Sequence, residues 1–266
     1  MLQAKNALIY GAGGSLGGAI AKALAAAGAR VFLSGRNIAS VERIASEIRS
    51  SNGRAEAFKV DGMNEREVNQ FVQEVAHDAG SIDISFNAID YQPVQDVNLV
   101  DMSVEDFVRP VRIAMHTQFL TAQAAARVMI KQGTGVILTL TATPGGIGYP
   151  LTGGFATACA AIETFATNLA AEVGVHGVRV VNIRSAGSPD SKVFQEAIAS
   201  APEVMKDVLH TMKNDTMLKA LPQMNDIANV AVFLSSELAG KITGVTIDVT
   251  AGTTAALNYR VAKNAT

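Results

Sequence analysis

Short apolar runs rich in β-branched residues alternate along this chain with longer stretches of helical periodicity. The run at 7–10 precedes a helical stretch at 15–27, and the run at 30–34 precedes another at Ile38–Ser50. Such alternation favours right-handed crossovers between parallel strands, and the nearly continuous apolar character of the runs indicates a sheet covered on both faces. The chain is therefore predicted to form a doubly wound α/β fold with helices on both faces of a parallel sheet.

The alternation continues through most of the chain. It predicts further strands at 55–60, 82–86, 135–141, 178–183 and 245–249, and further helices at 65–79, 104–131, 154–173 and 225–234. Pro110 is expected to kink the long fourth helix or to mark its entry turn, and Pro202 to interrupt a helical segment at 190–219. Because no linker rich in Pro, Gly or Ser divides the chain, a single domain over residues 1–266 is predicted.

Composition excludes several classes of function. Hydrophobic residues make up 48% of the chain and charged residues 17%, which excludes a disordered protein. The net charge of -2 provides no basic surface for nucleic acid or for an anionic membrane. The single cysteine, Cys159, excludes an intramolecular disulfide and a thiolate metal cage, so no metal site is predicted. No segment reads as a signal peptide or a membrane span, and a cytoplasmic location is expected.

A glycine-dense turn follows the first predicted strand. It runs Gly11-Ala12-Gly13-Gly14-Ser15-Leu16-Gly17-Gly18 and leads into the first helix. Bare backbone at a strand-to-helix turn lets amide groups approach a pyrophosphate, which the helix N-terminus then stabilises. The literal G-x-G-x-x-G spacing fails at Leu16, so the position after the first strand carries the prediction of a dinucleotide site. The alternative is a tight turn that serves only close helix packing.

The next strand ends bear on which dinucleotide is bound. The second strand ends in Ser34-Gly35-Arg36-Asn37, with no Asp or Glu between Val31 and Ser40. An acidic residue here would bind a ribose 2′-hydroxyl, whereas arginine suits a 2′-phosphate, so NADP(H) is favoured over NAD(H). The alternative is that Arg36 is a solvated loop charge. Asp61, after the third strand, is expected either to accept a hydrogen bond from adenine or to cap the next helix.

With these motifs, the chain resembles the short-chain dehydrogenase/reductase family over nearly its whole length. The family's T-G-x-x-x-G-x-G turn aligns with residues 10–17, with Tyr10 and Ser15 as departures, and half of its N-N-A-G motif is kept at 86–89. Gly177-Val178-Arg179-Val180 is similar to the family's G-I-R-V segment. The resemblance implies a Rossmann-type sheet of seven strands in the order 3-2-1-4-5-6-7, with the cofactor lying across the carboxyl ends of the strands.

The turn, the strand ends and the resemblance together predict a set of cofactor-binding residues. These are Gly11, Gly13, Gly14, Ser15, Leu16, Gly17, Arg36, Asp61, Gly62, Asn87, Ala88, Ile89, Leu140, Ser185, Ala186 and Gly187.

The resemblance also implies a catalytic tetrad of Asn, Ser, Tyr and Lys, and this chain departs from it. The Tyr-x-x-x-Lys positions are Phe155 and Cys159, the serine position is Ala142, and the asparagine position is Ala114. In the family, the tyrosine donates a proton, the lysine lowers its pKa and holds the nicotinamide ribose, and the serine orients the carbonyl. Phenylalanine has no proton to donate, and cysteine cannot replace an ammonium group. Cys159 is expected to be a small structural cysteine rather than a nucleophile.

Three hydroxyl residues near these positions are candidate substitutes. Thr141 and Thr143 flank Ala142 and are candidates for orienting a substrate. Tyr149, between the fifth strand and helix, is the phenol best placed to act as an acid. Arg184 precedes the Ser185-Ala186-Gly187 loop, and it is expected either to clamp an anionic group or to form a salt bridge to a neighbouring helix.

The residues and the family resemblance lead to three hypotheses about function. The first hypothesis is an NADP(H)-dependent oxidoreductase with a non-standard active site, acting on a small carbonyl, imine or activated alkene. The alternatives are a non-catalytic NADP-binding pseudoenzyme or regulatory partner and, more weakly, a non-redox isomerase or lyase. The resemblance further implies a substrate-side lid at 189–221 and a homodimer or homotetramer.

Overall fold

Seven parallel strands form the centre of the fold in the computed structural model, which describes residues 1–256. The strands are β1 (Asn6–Tyr10), β2 (Arg30–Gly35), β3 (Arg54–Lys59), β4 (Ile84–Asn87), β5 (Gly135–Ala142), β6 (Val178–Ser185) and β7 (Val245–Val249). Their order is β3-β2-β1-β4-β5-β6-β7, which confirms the order implied by the family resemblance. Residues 257–266 of the predicted domain lie outside the described residues.

Eight α-helices connect and cover these strands within residues 1–256. They are α1 (Ser15–Ala26), α2 (Ile38–Ser50), α3 (Glu65–Ala79), α4 (Val104–Gln132), α5 (Gly154–Val173), α6 (Lys192–Ser200), α7 (Pro202–Asp215) and α8 (Met224–Ser235). Helix α4 continues through Pro110. Pro202 occupies the first turn of α7, where its missing N–H leaves no hydrogen bond unmade.

Alternation of side chains along each strand divides the core into two layers. On one face, Ile9 and Val31 pack with Ile20 of α1 and Ile227 of α8. On the other face, Leu8, Tyr10 and Phe32 pack with residues of α3, α4 and α5, including Phe71 and Met129. Both faces are therefore covered by helices, as the continuous apolar runs predicted.

The start of α3 decides one of the open alternatives. The Asn64 side chain caps this helix by accepting hydrogen bonds from the backbone N–H groups of Arg66 and Glu67. Asp61 instead accepts from the backbone N–H of Met63 at 3.0 Å, within its own loop. The helix-capping role considered for Asp61 is therefore wrong. Asn64 directly precedes the first helical residue, so its side chain, and not that of Asp61, lies within hydrogen-bond distance of the free amides.

The order of the strands reverses between β1 and β4. The chain builds outward from β1 through β2 to β3 and then returns to start β4 on the other side of β1. In open parallel sheets, ligands bind in the crevice outside the carboxyl ends of the strands at such a reversal.

None of the helices within residues 1–256 has the length and apolar character that a membrane-spanning helix needs.

Candidate nucleotide-binding and catalytic site

A cavity of about 270 Å³ opens at this reversal, between the carboxyl ends of β1 to β4. We call it the switch-point cavity. Its lining includes Tyr10, Gly11, Gly13, Gly14, Arg36, Asp61, Gly62, Ala88, Ile89 and Thr117. A more open groove of about 980 Å³ lies at the opposite end of the sheet, before β2 and β3. The smaller cavity is the candidate ligand site, because it has the glycine turn and lies where parallel sheets bind ligands.

The glycine turn brings backbone against backbone at the floor of this cavity. A Cβ atom at Gly11 would lie 2.5 Å from the carbonyl oxygen of Ala88, and one at Gly17 would lie 2.5 Å from the carbonyl oxygen of Gly11. Gly11 also has a φ of 71°, a conformation that favours glycine. The turn therefore leaves bare amide groups and the N-terminus of α1 beside the cavity. This arrangement fits the diphosphate of the predicted dinucleotide.

The rim of the cavity at the end of β2 carries a positive charge. Arg36 is exposed there, and its neighbour Asn37 caps α2 by accepting from the backbone N–H of Ser40. A Cβ atom at Gly13 would lie 2.2 Å from the Ser40 hydroxyl oxygen, so α2 begins directly over the glycine turn. The acidic lining residues, Asp61 and Asp90, follow β3 and β4. The turn after β2 itself thus offers a guanidinium group and no carboxylate.

Other predicted cofactor residues lie beside the cavity. The Ser15 hydroxyl accepts a hydrogen bond from the backbone N–H of Lys192 at 3.0 Å and so points toward α6. Leu16 packs against the core on the α1 side. Asn87 is buried, and its side chain bonds the Thr121 hydroxyl at 3.0 Å and the backbone N–H of Ile89 at 2.9 Å.

The last group of predicted cofactor residues follows β5 and β6. The Ser185 hydroxyl donates to the carbonyl oxygen of Thr141 at 3.1 Å. A Cβ atom at Gly187 would lie 2.5 Å from Phe194 and 2.6 Å from Met212, so side chains of α6 and α7 cover this loop. These helices form the segment that the family resemblance implies to be a lid.

A buried tyrosine occupies the space around two of the tetrad positions. Tyr91 lies in one apolar cluster with Ala114, and its ring centroid lies 6.4 Å from that of Phe155. Its hydroxyl donates to the carbonyl oxygen of Leu140 at 3.2 Å and accepts from the Gln118 amide at 3.1 Å. Burial is the main cause that raises the pKa of Tyr91. This phenol therefore remains protonated and is held by interior partners.

Sequence reasoning missed Tyr91 and Gln118. Gln118 lies one helical turn after Ala114, so both residues share a face of α4. Tyr91 lies four residues after Asn87, at the sheet edge where ligands bind. Those spacings were available signals, but they do not show that the two side chains meet.

Cys159 is fully buried against the turn that contains the serine position. A Cβ atom at Gly145 would lie 3.0 Å from the Cβ of Cys159. Burial raises the pKa of Cys159 to about 11, although a backbone hydrogen bond at Ala142 partly opposes this. The thiol is thus uncharged and inaccessible, which agrees with the structural role expected for it.

An ion-pair network lies beneath the same turn. Arg184 pairs with Glu163 of α5 at 2.5 Å and with Asp248 of β7 at 3.1 Å. Glu163 also accepts a hydrogen bond from the Thr141 hydroxyl at 2.9 Å. Of the two roles open for Arg184, the structure supports the salt bridge to a neighbouring helix. A Cβ atom at Gly146 would lie 2.6 Å from the Arg184 guanidinium, so the turn lies directly on this network.

The three candidate substitutes have different surroundings. Thr141 and Thr143 are buried, and the Thr143 hydroxyl donates to the carbonyl oxygen of Ser185 at 3.3 Å. Both hydroxyls therefore have interior partners. Tyr149 is 40% exposed, on the loop before α5. Partial burial, with a contribution from the charge of Asp215, raises the pKa of Tyr149, so its phenol is protonated at neutral pH.

Comparison with protein families and curated proteins gives full-length matches. The family model described as enoyl-(acyl carrier protein) reductase matches residues 11–254. The chain is 30% identical to a 7alpha-hydroxysteroid dehydrogenase from Escherichia coli over 257 residues, which cover 97% of each chain. It is also 30% identical to a (3R)-3-hydroxyacyl-CoA dehydrogenase from Rattus norvegicus, over 94% of this chain and 96% of the other.

Solved structures show the same architecture. An NAD+-bound xylitol dehydrogenase superposes with a TM-score of 0.88 at 25% identity, covering 94% of this chain and 99% of the other. A gluconate 5-dehydrogenase from Burkholderia cenocepacia, in complex with NADP and tartrate, has a TM-score of 0.85 at 24% identity, with coverage of 96% and 97%. One of these two similar structures thus holds NAD+ and the other holds NADP.

Proposed function

This chain belongs to the short-chain dehydrogenase/reductase family, and from that premise we propose that it is an NADP(H)-dependent oxidoreductase with a non-standard active site. Its substrate is proposed to be a small organic molecule with a carbonyl, imine or activated alkene group. The observation that carries the proposal is the switch-point cavity, which is lined by both the bare glycine turn and the exposed Arg36.

Arg36 is the basis for choosing NADP(H) over NAD(H). Its guanidinium group can make paired hydrogen bonds to a phosphate, and no carboxylate follows β2 to bind a free ribose hydroxyl. Replacement of Arg36 by alanine should weaken NADPH binding by about 10- to 100-fold, the range for hydrogen bonds to a charged group, and leave NADH binding unchanged. Arg43→Ala is the matched control, since Arg43 is also exposed but pairs with Glu47 on α2.

Calorimetric titration of NADPH and NADH measures this preference directly. A wild-type preference for NADPH that Arg36→Ala removes and Arg43→Ala keeps would support the assignment. Equal affinity of the wild-type protein for both nucleotides would exclude it.

Tyr149 is the residue that we propose to hold the transferred proton. NADPH would supply the hydride when bound, and the chain would have to supply or relay a proton. The hydroxyls of Thr141 and Thr143 are engaged by interior partners, whereas the phenol of Tyr149 is partly exposed and protonated. A positioned general acid contributes roughly 10²–10⁴ in rate, so Tyr149→Phe should lower kcat within that range without changing the Kd for NADPH.

A substrate panel of ketones, imines and enones tests turnover. Oxidation of NADPH by one of these classes, lost in Tyr149→Phe, would support the proposal. Turnover that survives this substitution would remove Tyr149 from the mechanism.

One observation favours a second candidate function, a non-catalytic NADP-binding protein. Tyr91 and Gln118 fill the space next to Ala114 and Phe155 and bond each other and the end of β5. A packed interior at these positions leaves less room for a substrate. Tight NADPH binding without turnover across the panel, together with co-purification of an active relative, would favour this candidate over the first.

We further propose self-association through α4 and α5, as the family resemblance implies. Phe119 of α4 is 48% exposed, and its ring packs against Phe165 of α5 at 6.3 Å. Light scattering that gives a dimer or tetramer would support this, and a monomer at micromolar concentration would refute it.

A further inference from the structure

A buried side-chain hydroxyl belongs to Tyr10, one of the residues that line the switch-point cavity. Tyr10 ends β1 directly before the glycine turn, and its side chain is 1% exposed. Among residues 1–256, no group accepts from or donates to its buried hydroxyl oxygen. Buried polar groups are nearly always hydrogen-bonded, because an unpaired one loses its interactions with water without replacement. The hydroxyl of Tyr10 therefore calls for an explanation that packing does not supply.

The apolar surroundings of Tyr10 explain why an aromatic ring lies there, but they do not explain why the ring carries a hydroxyl. The ring meets Phe71 edge to face, with centroids 5.6 Å apart, and lies in the cluster that contains Val60 and Val68. Phenylalanine would make the same contacts without burying an oxygen. Burial also raises the pKa of Tyr10, so the group is a neutral phenol with one donor and two acceptor sites.

Tyr10 is also one of the residues that line the switch-point cavity. Gly62, Ile89 and Thr117 line it beside Tyr10, and a Cβ atom at Gly62 would lie 2.4 Å from the end of the Ile89 side chain. Ile89 also packs against the apolar cluster of Tyr10. The end of a flexible side chain thus covers this part of the cavity, and its movement would enlarge the space beside Gly62.

We propose that the Tyr10 hydroxyl hydrogen-bonds the base of the adenosine moiety in the switch-point cavity and is a specificity-determining residue of this chain. The inference rests on the proposed NADP(H) binding. An adenine edge presents both donors and acceptors, which match a phenol, and the base is the part of the nucleotide that suits an apolar pocket between strand ends.

Tyr10→Phe tests the proposal by binding and stability, without any measurement of activity. Loss of one neutral hydrogen bond should weaken 2′,5′-ADP and NADPH by the same factor, about three- to tenfold. Nicotinamide mononucleotide, which lacks the adenosine moiety, should bind both proteins equally. The Tm of the free variant should equal or exceed that of the wild-type protein, because an unpaired hydroxyl has been removed.

Tyr91→Phe is the matched control, because Tyr91 is also buried but its hydroxyl has two partners. It should lower the Tm of the free protein and leave the Kd for 2′,5′-ADP unchanged, the reverse of the pattern for Tyr10→Phe. Equal 2′,5′-ADP affinity of the wild-type and Tyr10→Phe proteins would overturn the inference while the proposed function stands. The inference would also be overturned if the Tm of the free Tyr10→Phe protein dropped as much as that of Tyr91→Phe. Failure of the wild-type protein to bind 2′,5′-ADP or NADPH would overturn the proposed function itself.

Discussion

Replacing Glu163 by glutamine should destabilise the protein, because this carboxylate holds three hydrogen bonds beneath the β5–α5 turn. One oxygen accepts from the Thr141 hydroxyl and from Arg184 Nε, both at 2.9 Å, and the other accepts from Arg184 Nη2 at 2.5 Å. The side chains of Glu163 and Arg184 are each 15% exposed. Solvent therefore screens the pair only partly.

The geometry sets the size of the effect. Glutamine keeps one accepting oxygen, but its amide nitrogen must then face a guanidinium N–H, so the charge and one hydrogen bond are lost. Hydrogen bonds to charged groups contribute about 1.5–3 kcal/mol. Arg184 keeps its second partner, Asp248, so we expect the lower part of that range, about 2 kcal/mol of unfolding free energy. For a domain of this size, that corresponds to a fall in Tm of about 4–8 °C.

Urea denaturation followed by circular dichroism measures this loss. The matched control is Glu56→Gln, which breaks the pair with Arg30 at 2.6 Å on the protein surface, where the two side chains are 44% and 32% exposed. Exposed pairs contribute about 0–1 kcal/mol, so this variant should be nearly neutral. Equal unfolding free energies for the two variants would refute the argument that burial makes the Glu163 pair important.

Further predictions concern pH, thiol chemistry and packing. Burial alone would raise the pKa of Asp248, but hydrogen bonds from two threonines and Arg184 outweigh it and hold the pKa below its usual value. A carboxyl whose pKa falls on folding contributes its full stabilisation above its unfolded pKa, so this contribution should be lost as the pH drops below about 4. In urea titrations over that pH range, the unfolding free energy of Asp248→Asn should therefore change less with pH than that of the wild-type protein. Cys159 should resist thiol reagents at pH 7.5 until urea unfolds the chain, and rapid stoichiometric labelling of the native protein would contradict its burial. Tyr91→Phe should cost about 1–3 kcal/mol in denaturant titrations, because the Gln118 amide loses its acceptor, and a neutral result would mean that this amide finds another.

Local patterns in the sequence were sufficient to predict the sheet and its helices. The helices predicted at Ile38–Ser50 and Glu65–Ala79 begin and end at the same residues in the structure. Strand and helix periodicities repeat every few residues, so each is visible within one short segment. The family resemblance added the order of the strands, which periodicity alone does not specify.

The candidate site was predicted less completely. The glycine turn, Arg36 and Asp61 were found from the sequence, since a turn and two strand ends carry recognisable residues at fixed places. The partners of Arg184 were left open. Glu163 lies 21 positions away along the chain and Asp248 lies 64 positions away, and no local pattern marks such distant pairs.

The doubly wound α/β fold class and the bare backbone at the end of the first strand could be predicted from the sequence, because both properties follow from residues that are neighbours along the chain. The pairing of the buried polar groups could not be predicted in this way, because it depends on contacts between segments that are remote along the chain. Tertiary contacts bond Tyr91 to Gln118 across 27 positions and leave the buried hydroxyl of Tyr10 without a partner in the part of the chain that the structure describes. Hydrogen bonding depends on distances between atoms of remote segments, and those distances exist only once the sheet has brought the strand ends together.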